Sequence, residues 1–215
     1  MIGIGTGTGV TSRRRKVTVN SWTERFSRVG WAIADQMLVS GASFVTTLLI
    51  ARFLGKEEFG RFVLAWLAIW IIQNVQIALI TTPVTTFAMR EPADRQAAYL
   101  GAVCAQQAAF AVVTTALVYV LAVLSGVIVP SWRLDLVAGP LALAVLFGQI
   151  NDIQRRYFYL HERTPISFLI DFARFAPQIA ALIGLFVLLP EHTNLATVFH
   201  IMAATALLGC VAGWV

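Results

Sequence analysis

The segment QINDIQRRYFYLHERTPISFLIDFARFAPQ, residues 149–178, decides the fold because it places charges inside what its apolar flanks make a pair of membrane-spanning helices. Gln149, Asp152 and Arg156 fall at i, i+3 and i+7, so a helix of 3.6 residues per turn stacks them along one stripe. Asp171, Arg174 and Gln178 repeat that spacing on a helix that runs the opposite way after the polar turn His161-Glu162-Arg163-Thr164-Pro165. The two stripes are expected to face each other at similar depth, with Asp152 facing Arg174. An ionised side chain within a bilayer costs about 3 kcal/mol or more unless it is paired or faces a wet cavity. The stripes, with Asn151 and Arg155 beside the first, therefore read as the lining of a transport path.

Outside this segment the chain is 58% hydrophobic and only 13% charged over its full length, about half the charge of a soluble domain. Apolar runs near residues 30–54, 61–89, 98–128, 136–160, 166–189 and 196–215 are each long enough to cross a hydrocarbon core as helix. Helices satisfy their own backbone in lipid, so the expected class is all-α, a polytopic bundle of six spans with no soluble domain. Cys104 and Cys210 lie in separate apolar runs, and His161, His192 and His200 are not spaced as ligands, which gives a disulfide framework or a metalloenzyme no support.

Residues 1–29 form a basic tail, with Gly3, Gly5, Gly7 and Gly9 followed by Arg13, Arg14, Arg15 and Lys16. The glycines lack a preceding strand and a following G-K-[ST], so they read as a flexible tail rather than a phosphate loop. The basic run reads as a topology signal, with binding to anionic lipid as the competing reading. With the N-terminus cytoplasmic, eleven Lys and Arg fall on that side and four on the other, Arg52, Lys56, Arg61 and Arg133, which supports a multi-pass protein of the inner (plasma) membrane with both termini inside. The chain stops inside its sixth apolar run, as a truncated span would.

Further polar positions lie within the spans. Asp35, about a turn inside the first, is a candidate gating or coupling carboxylate, or else an interfacial acid answering Arg28. Ser40-Gly41-Ala42-Ser43 and the pair Gly209 and Gly213 supply small residues for close helix approach. Trp66 and Trp70, four apart, read as an interfacial belt, with a sugar platform as the alternative. Pro83, within Thr81-Thr82-Pro83-Val84-Thr85-Thr86, removes a backbone hydrogen bond and is a candidate hinge, the threonine hydroxyls satisfying freed carbonyls. Pro177 is a second candidate bend, and Gln106 and Gln107 are expected to bond across helices.

The stretches Ala34-Asp35-Gln36-Met37-Leu38-Val39-Ser40-Gly41, Leu49-Ile50-Ala51-Arg52-Phe53-Leu54-Gly55 and Glu58-Phe59-Gly60-Arg61-Phe62 together resemble the opening hairpin of polysaccharide-biosynthesis (O-antigen) flippases of the multidrug/oligosaccharidyl-lipid/polysaccharide exporter superfamily. The likeness is clearest over residues 31–90 and looser over 149–190. Members of that family have twelve or more spans in two six-helix bundles, so the resemblance implies that this chain is one half of such a transporter. It also implies a flippase for a saccharide carried on a polyprenyl pyrophosphate. Membrane lipids and the glycosyltransferases or polymerase of the same route are its implied partners, with no cofactor and no nucleic acid.

That substrate needs cations for its phosphates and amides for its sugars. Arg155, Arg156 and Arg174, with Gln149, Asn151 and Gln178, supply them, and the planar guanidinium donates paired hydrogen bonds while staying charged when partly desolvated. The competing readings are a neutral structural cluster of Asp152, Asp171 and Arg174, and Arg155 and Arg156 as a solvated helix end. A membrane-embedded saccharide polymerase or transferase is the alternative function, but the loops near 129–135 and 190–195 are short for an acceptor site, so no enzyme is expected. A structural six-helix fragment without transport is the third reading.

Overall fold

The computed structural model describes residues 20–87 and 92–214, with side chains described from Val29 onward except at Ala93. The basic run Arg13 to Lys16 and the glycine tail lie outside the described residues, as do Arg90 and the side chains of Arg25 and Arg28. The described chain is helix throughout: α1 (Asn20–Phe53), α2 (Gly55–Gln76), a π-helical turn (Ile77–Thr81), α3 (Thr82–Phe87), α4 (Ala93–Ile128), α5 (Ala138–Leu160), α6 (Thr164–Leu188) and α7 (Leu195–Ala212), with single 3₁₀ turns before α5 and α7. The expected all-α six-span architecture is what forms, since six of these segments are long and apolar enough to cross a membrane, the second of them running unbroken through α2, the π turn and α3.

The breaks fall where backbone chemistry puts them. α1 and α2 are joined at Gly55, whose φ of 77° suits glycine and lets α2 start at once, so residues 55–60, between the apolar runs 30–54 and 61–89, are already helix. Pro92 precedes α4, and Pro130 stands in the turn between Ile128 and Leu134. Glu162, at φ 58°, turns the chain between α5 and α6, and Pro165 sits in the first turn of α6, where its missing N–H costs nothing. At α7, Asn194 Oδ1 accepts from the Thr197 N–H at 2.9 Å.

Packing divides the helices into a body and an arm. α5 lies against α7 and α4, and α6 against α1 and α7, while α2 makes few contacts with any neighbour. The body's core is Ile50, Leu141, Val145, Leu182, Val198, Phe199 and Met202, joined by Phe62 from α2. Gly209 makes the α5–α7 approach possible, because a Cβ there would meet the Asn151 amide and the Arg174 Cβ, and a Cβ on Gly213 would meet Gln154. Gly41 differs, having open space where its Cβ would be. Outward faces are apolar, as lipid allows: Val112, Val113, Leu117, Val120 and Leu121 of α4 are all exposed.

Candidate functional site

Between α1, α2, α5 and α6 lies a cavity of about 300 Å³, lined by Ser43 and Thr46 of α1, Trp66 and Gln73 of α2, and the charged residues of α5 and α6. α5 and α6 bring those charges together because the turn at Glu162 sets them antiparallel, and the charged members of both stripes lie in the halves of the two helices nearer that turn. A void of about 30 Å³ continues past Arg174 toward Gln76 and Gln149.

The ion pairs differ from those the stripes suggest. Arg155, expected as a phosphate ligand or a solvated helix end, is inside the bundle: its Nη2 lies 2.8 Å from Asp35 Oδ2 and its Nε 2.9 Å from Asp171 Oδ2. The Tyr159 hydroxyl also donates to Asp35, and Ser167 Oγ donates to the Arg155 carbonyl at 3.1 Å. Asp35 is fully buried among these partners, while Arg28, which the alternative reading pairs with it, has a side chain outside the described ones. Asp152 does not meet Arg174 either. It accepts from Arg156 Nε at 2.7 Å and from Gln76 Nε2 at 3.2 Å.

Arg174 is thereby left without an acid. Among the described residues no carboxylate oxygen lies within 4.0 Å of it, so the closed cluster of Asp152, Asp171 and Arg174 does not form. Its guanidinium lies 4.9 Å from the Phe175 ring centroid, its Nε has no hydrogen-bond partner, and it lines both the cavity and the smaller void. It stands ten residues into α6, about 15 Å along the axis at 1.5 Å per residue.

The amides expected to meet sugars are largely engaged between helices. Gln149 Nε2 donates to Thr114 Oγ1 at 2.7 Å, Gln178 Nε2 to Thr46 Oγ1 at 3.0 Å, and Asn151 Nδ2 to the Ala206 carbonyl at 3.4 Å. Gln107 goes the other way: its buried amide has no partner, and Gln106 is exposed, so among the described residues the expected cross-helix bonds are absent. The two tryptophans also part company. Trp70 faces outward, but Trp66 faces the cavity and stacks on Phe62, their ring centroids 5.7 Å apart. Tyr159, Gln73, Gln76 and Thr46 join the site without having been singled out. For Thr46 and Tyr159 the only signal was polarity at helical spacing from Asp35 and Asp152, and for Gln73 and Gln76 it was polarity, three residues apart, within an apolar span.

Pro83 stands one residue beyond the π-helical turn Ile77–Thr81, after Thr82. Thr82 Oγ1 donates to the Ile77 carbonyl at 2.9 Å, which also accepts the Thr82 N–H, and Thr85 Oγ1 donates to the Thr81 carbonyl at 3.0 Å; neither is the Leu79 carbonyl four residues before Pro83, so the hydroxyls brace the bend without replacing the bond that the proline removes. The weak point of the second span thus lies where Ile77 borders the cavity, on the helix that packs least.

These features define a multi-pass, all-α membrane protein with a charged cavity inside its helical bundle. Comparison of the chain with protein-family models, with curated proteins and with solved structures returns no match.

Proposed function

We propose that the chain forms a wall of a transport path for a lipid-linked saccharide, as half of a flippase of the polysaccharide-exporter type, with Arg174 meeting the phosphate. The observation that carries this reading is Arg174 itself, a guanidinium deep in its span, facing a cavity and, among the described residues, with no acid within 4.0 Å. A cation held so deep without a counter-ion is costly, and an anion from the cavity would lower that cost. Trp66 supports a saccharide beside the phosphate, since its ring offers an apolar face to a sugar next to the polar Gln73. The thin packing of α2 and the π turn before Pro83 support a wall that moves. The N-terminus is taken as cytoplasmic, and the plasma membrane as the site of action, on the distribution of Lys and Arg.

The test is Arg174→Ala and Arg174→Lys in the protein as its gene encodes it, scored for surface polysaccharide and for protein level together. Arg174→Ala is expected to leave a folded, membrane-inserted protein that supports no export. Arg174→Lys, which keeps charge but not the fork, is expected to keep part of it. Normal export by Arg174→Ala, or its restoration when Asp171 is removed as well, retires the reading.

A further inference from the structure

Asp35 of α1 and Asp171 of α6 meet at one guanidinium. Both are ion-paired to Arg155, Asp35 to its Nη2 at 2.8 Å and Asp171 to its Nε at 2.9 Å, so the two carboxyls sit side by side on one guanidinium. They are 0% and 2% exposed. Donors are too few for these oxygens: Asp35 Oδ2 takes hydrogen bonds from Arg155 and Tyr159, while Asp35 Oδ1 takes none and Asp171 Oδ2, though beside Arg155, is out of line for one. Two adjacent carboxylates in a medium of low dielectric repel too strongly for both to stay ionised on one counter-charge.

We propose that Asp35 and Asp171 form a dyad on Arg155 that binds one proton between them, and that this proton is linked to an anion at Arg174. The proton, taken from solvent, turns an acceptor facing an acceptor into a donor facing an acceptor, and leaves one negative charge to match one guanidinium. Among the described residues the surrounding groups add no further acid. From α5 the dyad is faced by Arg155 and Tyr159, with Asp152 closed on Arg156. On α6 the nearest charge is Arg174, with Cys210 of α7 beside it, and α2 contributes only the neutral Gln73 and Gln76. Arg25 and Arg28, earlier on α1, lie among residues whose side chains are not described.

The linkage follows from charge balance. Asp35, Asp152 and Asp171 stand against Arg155, Arg156 and Arg174, so with the dyad ionised the cavity is neutral. With one proton bound, a positive charge is left over, and it rests on Arg174, the one of the three arginines with no ion pair among the described residues. Proton binding therefore favours an anion at Arg174, and by reciprocity the anion favours the proton. The use of this linkage, to couple proton and substrate, rests on the transport reading; the proton site stands without it.

Infrared spectra of the purified full chain in lipid nanodiscs read the proton directly, because a protonated carboxyl has a C=O stretch that a carboxylate lacks. That band is expected at neutral pH in the wild type and in Asp152→Asn, and is expected to vanish in Asp35→Asn and in Asp171→Asn alike, since each leaves a single carboxylate on Arg155. Its absence from the wild type, which needs no variant to observe, overturns the dyad, as does its survival in either dyad variant. Inorganic pyrophosphate added in weak buffer is then expected to bind with net proton uptake, lost in Asp35→Asn. Binding without uptake overturns the linkage. No binding, with the band intact, sinks the anion reading of Arg174 and the linkage with it while leaving the proton site standing.

Discussion

Arg155 Nε lies 2.9 Å from Asp171 Oδ2, so the acid three residues before Arg174 is already held by a cation from another helix. This one contact separates the two arginines into different kinds of charge. Arg155 closes α1, α5 and α6 on one another, while Arg174 is left facing the cavity.

Removing Arg155 therefore costs stability. Arg155→Ala strands Asp35 and Asp171 at membrane depth, and a loss of about 3 kcal/mol is expected, the usual size when one partner of a buried pair is deleted. Thermal unfolding in detergent should show a clear drop in midpoint, largely restored when both acids are replaced by Asn in the same chain. Arg174→Ala, which breaks no ion pair, should melt close to the wild type. An equal loss from the two arginines would contradict their division into lock and free cation.

Gly209 offers a test of the α5–α7 seam. An added methyl at this position would run into the Asn151 amide and crowd the Arg174 Cβ. Gly209→Ala should therefore destabilise by about 1–3 kcal/mol, as overpacking does, and disturb Arg174 as well. Gly41→Ala, with nothing within 4 Å of the new methyl, should be neutral or slightly stabilising through helix propensity. The midpoints of the two variants, measured side by side, check the contrast.

Pro83→Ala restores a backbone N–H to the second span and should raise its helical stability. If the π turn and Pro83 let this wall move, export should fall while the midpoint holds or rises. Unchanged export with a raised midpoint would mark the bend as static.

The distribution of Lys and Arg predicts which loops face the cytoplasm. In a background with Cys104 and Cys210 replaced, single cysteines at Arg163 and Ala93 should be shielded from a membrane-impermeant thiol reagent in intact cells, and cysteines at Lys56 and Ser131 should react. The reverse pattern would place the cavity in the outer half of the membrane and remove the basis for a cytoplasmic N-terminus.

The sequence by itself determined the elements of this protein. Long apolar runs broken by Gly55, Pro92, Pro130, Pro165 and Asn194 define six spans, because backbone satisfaction in lipid leaves helix as the answer and these residues end or begin helices locally. The stripes at Gln149, Asp152, Arg156 and at Asp171, Arg174, Gln178 were legible for the same reason, since a period of 3.6 belongs to one helix alone. Which charge meets which was decided only in three dimensions. Arg155 takes Asp35 from 120 residues away and Asp171 from the neighbouring helix, Asp152 turns to its own helix and to Gln76, and Gln178 reaches Thr46. Such pairings depend on how each helix is rotated about its axis and where it crosses its neighbour, and those angles are set by the packing of Gly209 on Asn151 and of the apolar core, which no spacing within a single helix encodes.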